Sequence, residues 1–262
     1  MEAVWAIAIN TFRETVRDRV LYAFVIFAVV FTLAGMLLGS LSVNQDTRIL
    51  EDIGLFTIST IGGVIAIFVG TNLVYKEIDR RTIYLIFTKP IARWQFIFGK
   101  FLGLALCVLI VTALMGGFLM LMVFGFYHEQ AYYIGPMLGS LGLIYCELLL
   151  VIALATFFST FATPLMSVLF TLGLWISGHM GQSLLALSQM STSESTKALF
   201  QVIYHILPDL AKLTQIRADL MSAATSAMLD THALTLVTTY IVGYIVLLLS
   251  FATIITERRE FS

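Results

Sequence analysis

The sequence predicts an all-α membrane protein with six spans, and three observations carry that prediction. Hydrophobic residues make up 59% of the 262 positions and charged residues only 12%, far from the balance of a soluble domain. Mean hydropathy is +0.95. A helix rises 1.5 Å per residue, so about 20 apolar residues cross a hydrocarbon core of roughly 30 Å. Six such runs occur, near 20–41, 54–75, 101–124, 136–161, 165–187 and 233–255. Runs this long and this apolar point to helices rather than the weak alternation of barrel strands, because every backbone polar group in lipid must be bonded internally.

Residues 1–19 precede the first span and have a pattern of their own. Trp5, Ala8, Ile9, Phe12 and Val16 recur at helical spacing, while Asn10, Arg13, Glu14, Arg17 and Asp18 fill the other side. The segment reads as an amphipathic helix lying in the cytoplasmic interface; the plainer alternative is a peripheral first helix packed on the bundle. A signal peptide fits less well, because the apolar run is too long for its hydrophobic region and shows no clear small-x-small cleavage site.

Segment 76–100, between spans two and three, carries six of the fifteen Lys and Arg residues. A simple connection needs only a few turn residues. This one is about 25 residues long, basic, and patterned like a short helix with an apolar face. The other connections are shorter, with one exception. Spans one and two are joined by 42–53, and spans three and four by a stretch containing Tyr127, His128, Glu129, Tyr132 and Tyr133. A tight turn at Ala162-Thr163-Pro164 joins spans four and five, with proline marking a new helix start. The exception is 188–232. It opens with Ser191-Thr-Ser-Glu-Ser-Thr196, then places Leu199, Ile203, Ile206 and Leu210 at helical spacing across Pro208, followed by Leu213, Ile216 and Leu220. Two short helices on or dipping into the outer leaflet are expected there, since too few residues are available for a soluble core.

Orientation follows from the Lys and Arg in each loop. With the N terminus inside, the inner segments hold Arg13, Arg17, Arg19, the six residues of 76–100, Arg258 and Arg259, against Arg48, Lys197, Lys212 and Arg217 outside. Both termini are therefore expected in the cytoplasm. The net charge of −1 offers no nucleic-acid face. Cys107 and Cys146 fall within spans, which argues against a structural disulfide.

The residues now resemble a family. Glu77-x-x-Arg80-Arg81-Thr82, followed by Lys89-Pro90-x-x-Arg93 and Lys100, is similar to the recurring pattern of ABC-2 type exporter permeases. The layout of interfacial helix, six spans, basic loop and short helical outer loop resembles that family over essentially the whole chain. Within it, the text looks closest to the branch of multi-copper enzyme maturation and gliding-type permeases. The resemblance implies one transmembrane permease domain over 1–262 in a bacterial or archaeal cytoplasmic membrane. It implies a dimer with a second permease copy or paralogue, and a separate cytoplasmic ABC ATPase subunit that receives a coupling helix from 76–100. ATP would be bound by that partner and no cofactor by this chain, which has no Gly-x-x-x-x-Gly-Lys-Ser/Thr loop.

A coupling helix needs apolar knobs for a groove and charges for register. Ile83, Tyr84, Ile86 and Phe87, flanked by Arg80, Arg81 and Lys89, offer both. A generic positive-inside loop would account for the basic residues but not for the length, Pro90 or the aromatic content. Glu77, Arg80, Arg81, Thr82, Ile83, Tyr84, Phe87, Lys89, Pro90 and Arg93 are thus the candidate ATPase-coupling residues.

Inside the membrane, Glu147 of span four stands out. A carboxylate near a helix centre costs roughly 2.5–3.5 kcal/mol on insertion scales, so it is neutralised, paired or facing water. Spans four and five pivot near Ala162 and Thr163, which places Glu147 about 15 residues before the turn and His179 about 16 after it. The two should lie at similar depth. They read either as a polar lining of a transport route or interhelical latch, or as a protonated packing contact. The eleven methionines show no ligand-spaced cluster with His or Cys, so no metal site is expected. Gly62-Gly63, Gly70 and Gly116-Gly117 suggest close helix approach.

The leading function is therefore an ATP-driven export subunit that is not itself an enzyme. A mechanical variant would move an extracytoplasmic partner instead of a substrate. An ion-coupled secondary transporter should show repeated halves, and the two three-span halves share no text. An intramembrane hydrolase should show His-Glu-x-x-His or Gly-x-Ser-x-Gly, and neither is present.

Overall fold

The computed structural model describes residues 2–17, scattered positions between 22 and 34, and then 46–79, 92–126, 134–181, 197, 208–223 and 231–258. Most of the expected first span, residues 80–91 of the basic segment, and 198–207 of the long loop lie outside the described residues. Those described are helical, with no strand among them: α1 (Glu2–Val16), α2 (Asp46–Asp79), α3 (Arg93–Met120, continued by a π-helical turn Leu121–Phe126), α4 (Ile134–Ser159), α5 (Pro164–His179), α6 (Leu210–Ala223) and α7 (Thr231–Arg258).

Among the described residues, four stretches are long and apolar enough to cross a membrane: Arg48–Thr71, Arg93–Gly125, Ile134–Ser159 and Leu234–Thr256. They correspond to the expected spans two, three, four and six. The expected fifth span is the shorter apolar helix α5, whose 16 residues reach about 24 Å. Among the described residues the central helix is α4, which packs against α2, α3, α5, α6 and α7. Lipid-facing residues are apolar too. On α7, Leu236, Val242, Val246, Leu247 and Phe251 are exposed while Val237, Ile241, Ile245, Leu248 and Ala252 are buried, as expected where the solvent is hydrocarbon.

The basic segment is helical at both ends, which shortens the loop read from sequence. α2 runs on to Asp79, and α3 begins at Arg93, where the Ala92 amide donates to Gln95 Oε1 at 3.2 Å. Lys100 is accordingly no loop residue. It is 1% exposed, with its Nζ 5.0 Å above the Phe96 ring centroid, a cation–π contact that eases the cost of a buried ammonium.

The buried stripe of α1 is rotated from the apolar stripe in the sequence. Ala8, Thr11 and Thr15 are buried against α3, whereas Trp5 is 57% exposed and Ile9, Phe12 and Val16 lie at the margin. Glycines decide this. A Cβ at Gly103 would stand 2.5 Å from the Ala8 carbonyl oxygen, and one at Gly99 2.9 Å from that of Val4. Gly99-x-x-x-Gly103 thus lets the α1 backbone approach α3 directly, the small-residue mode of membrane helix packing. α1 is three-sided, with a docked face, an apolar face around Trp5 and Phe12, and a polar face around Asn10 and Arg13.

The α4–α5 hairpin forms at the turn the sequence marks. The Ala162 amide donates to the Phe158 carbonyl at 2.9 Å, Thr163 is extended, and Pro164 occupies the first turn of α5. Phe158 packs on Phe170 across the hairpin, with ring centroids 5.5 Å apart. At the opposite end of the bundle α6 docks on α4 and α5. It starts after Pro208, not across it as the loop periodicity suggested, because Asp209 caps it: the Lys212 amide donates to Asp209 Oδ1 at 3.1 Å. Leu210, Ala211, Leu213 and Leu220 are buried, so this helix packs into the bundle.

Candidate functional site

Glu147 lies near the middle of α4 and is 0% exposed. A fully buried carboxylate must be bonded on most sides to be tolerated, and three neighbouring helices contribute to that. His179, the last residue of α5, places Nε2 3.2 Å from Glu147 Oε1. Trp175, one turn earlier, donates its Nε1–H to the same oxygen at 3.1 Å. Ser59 on α2 presents its hydroxyl 3.2 Å from Oε1 and 3.1 Å from Oε2. Arg217 on α6 lies within electrostatic reach of the carboxylate.

Each donor is positioned by something identifiable. Thr57, Thr71, Ser159 and Thr171 bond the carbonyl four residues back on their own helix, the usual fate of a hydroxyl in an apolar helix. Ser59 instead reaches across to α4. Trp175 fits because Gly63 faces it: a Cβ there would meet Trp175 Cζ2 at 2.6 Å. The Trp175 and His179 rings stand edge to face with centroids 5.4 Å apart, and His179 Nδ1 is 3.0 Å from the Trp175 carbonyl oxygen.

That last contact fixes the proton count. A carbonyl only accepts, so Nδ1 carries a hydrogen and donates it. The Nε2–Oε1 contact then holds one further proton, as imidazolium with carboxylate or as imidazole with carboxylic acid. Either way Glu147 and His179 together carry no net charge. Arg217 adds a positive charge beside them. Burial pulls its guanidinium below the ordinary value, with the Glu147 carboxylate working in the opposite sense.

The structure thus brings together Glu147 and His179, the two intramembrane residues singled out from sequence, and adds Ser59, Trp175 and Arg217. The last three gave no motif; the only textual hint was Gly62-Gly63, which marks a close helix approach on the face that carries Ser59. The other candidate residues are distant. Glu77 falls within α2, but its side chain lies outside the described residues, as do Arg80, Arg81, Thr82, Ile83, Tyr84, Phe87, Lys89 and Pro90. Arg93 is described: its Nη1 donates to the Thr256 carbonyl at 2.8 Å, tying the start of α3 to the end of α7. Cys107 and Cys146 are free.

No curated protein matches this chain. A family model described as "ABC-2 family transporter protein" matches residues 5–260. The match takes in most of α1, the whole of α2 to α7, both partners of the buried pair and the whole basic segment, so this multi-pass membrane chain belongs to the ABC-2 family of transporter proteins.

Proposed function

We propose that this chain is the membrane-spanning permease subunit of an ABC-2 type exporter, which couples ATP hydrolysis on a separate cytoplasmic subunit to export of a substrate. In this reading it crosses the cytoplasmic membrane of a bacterium or archaeon six times, counting 20–41 and α5 as spans, with both termini inside. It works with a second permease copy. The observation that carries the reading is the family match across residues 5–260, joined to a sequence with no phosphate-binding loop of its own. The basic segment between α2 and α3 is the docking point for the ATPase. Its residues 80–92 link two spanning helices, so a push on it moves both, and Arg93 carries that motion to α7 through Thr256.

Copurification tests this. The chain should hold a co-expressed ABC ATPase subunit through detergent extraction. Reversing charge at Arg80 and Arg81, or Pro90→Gly, should weaken that association or uncouple ATP hydrolysis while membrane insertion stays intact. Normal assembly and activity after deletion of residues 80–90 would overturn the coupling assignment.

A further inference from the structure

The Arg217 guanidinium is only half served. Its Nη2 donates to Thr214 Oγ1 at 3.2 Å, but Nη1 is buried and has no partner among the described residues. Glu147 lies within electrostatic reach of the guanidinium but takes no hydrogen bond from Nη1. Leaving a buried charged donor unpaired is costly.

A second orphan lies on the facing helix. Ser140 is 0% exposed, and its Oγ has no partner among the described residues. It precedes Glu147 by two helical turns, so both project from one face of α4. The register of α6 brings Arg217 to the same region. A Cβ at Gly139 would touch Leu220 Cδ1 at 3.5 Å, while at the other end of α6 Leu210 packs at Gly178. Arg217, one turn before Leu220, therefore shares the face of α6 that packs on α4. The Glu147–His179 unit is neutral overall, so the packed region of α4 and α6 carries the positive charge of Arg217 and two buried atoms with unused hydrogen-bonding capacity.

The geometry points to an oxyanion site at this place, in which Arg217 Nη1 and Ser140 Oγ bind the oxygens of a phosphate group reaching the bundle from the α6 end. Guanidinium and hydroxyl are the donors that phosphate recognition uses. His179, 30% exposed at its side chain, forms the boundary between this site and the buried carboxylate. The phosphate could belong to a lipid headgroup or to a soluble molecule, and the chemistry at Arg217 is the same for both. The inference is independent of ATPase coupling and is tested on the permease alone.

The reporter is Trp175. In a Trp5→Phe, Trp94→Phe background it is the single indole, and its emission senses His179 and Glu147. The purified chain in maltoside micelles is titrated with inorganic phosphate against chloride at equal ionic strength. Separately, it is titrated with phosphatidic acid against diacylglycerol. A saturable change with either phosphate source, absent with its control, supports the site, and which source responds tells where the phosphate comes from. Arg217→Gln should weaken binding on the order of tenfold or more, Ser140→Ala by a smaller factor, and Lys212→Gln, on the exposed face of α6, not at all. Should Arg217→Gln fail to fold, the melting temperature of the unsubstituted chain decides: if the site exists its rise follows the Kd of the fluorescence titration, and a rise linear in phosphate, the general effect of that salt on folded chains, overturns it. No saturable response to either source, or a response that Arg217→Gln leaves unchanged, overturns the proposal.

Discussion

Glu147→Gln is the most informative single perturbation, because the structure separates what it keeps from what it loses. Glutamine has nearly the same volume, and its carbonyl oxygen can still accept from Trp175 Nε1–H. Its amide nitrogen, however, falls at the Oε2 position, where Ser59 now meets an oxygen at 3.1 Å, and the carbonyl left facing His179 Nε2 at 3.2 Å carries no charge. The loss is one to two interhelical hydrogen bonds, each about 0.6–2 kcal/mol in membrane proteins, and the His179 contact is charge-assisted. A destabilisation of about 1–3 kcal/mol follows. Glu147→Leu strands the Ser59 hydroxyl, the Trp175 N–H and the His179 ring at once, so it should cost about 3–5 kcal/mol. His179→Gln keeps a donor within reach and should cost about 1 kcal/mol or less. The cycle of Glu147→Gln, His179→Gln and the double substitution is read by thermal unfolding in detergent and by ATPase activity stimulated through the partner subunit. The double should cost about 0.5–1 kcal/mol less than the sum of the singles. Strict additivity in both readouts would refute the energetic pairing. Loss of activity without loss of stability in Glu147→Gln would assign the carboxylate to the transport route.

Two further predictions follow from packing and charge. Gly103→Leu should lift α1 from α3, because even a Cβ meets the Ala8 carbonyl oxygen at 2.5 Å, and should destabilise by about 1–3 kcal/mol, while Gly117→Ala, with nothing within 4 Å, should be close to neutral; equal effects in melting experiments would contradict the docked α1. Reporter fusions should place both termini and a junction near Arg81 in the cytoplasm and one near Thr214 outside, and a periplasmic signal at Arg81 would invert the topology.

The hairpin register was legible in the sequence for a simple reason. Two helices that share a short, proline-marked turn rise at the same rate, so residues counted equally from residues 162–163 must meet at one depth, and Glu147 and His179 do. The rest of the site depends on how α2 and α6 are rotated against α4, which no count along one chain supplies. Ser59 is one of many helix hydroxyls until Gly62 and Gly63 let α2 approach closely enough for it to leave its own backbone. Arg217 read as one basic residue of a long loop, because the burial of α6 follows from the fit of Leu210, Leu213 and Leu220 against α4 and α5. Lys100 misled for a related reason: counted as a loop cation, it lies one turn and more inside α3, with its stem buried and its charge over Phe96. The amphipathic stripe of α1 was read correctly as apolar, but in a membrane the apolar face need not be the docked one. Thr11 and Thr15 are smaller than Phe12 and Val16, and close backbone contact with Gly99 and Gly103 selects size over hydrophobicity.

The shortness of α5 gives the polar cluster its place. At about 24 Å the helix stops short of a ~30 Å core, and its final carbonyls would face hydrocarbon unsatisfied. His179 answers part of that need, since Nδ1 donates to the Trp175 carbonyl and any positive charge on the ring sits at the favourable end of the helix dipole. The other nitrogen is then aimed at Glu147. In the last turn of the helix, Gly178 packs directly against the Pro208 carbonyl and Leu210, so the start of α6 closes the gap that α5 leaves. One junction therefore carries three tasks: ending α5, neutralising Glu147 and seating α6. A displacement of α6 would expose the His179 ring further and admit water to the carboxylate, which is the physical route by which a change at the α6 end would reach the centre of α4.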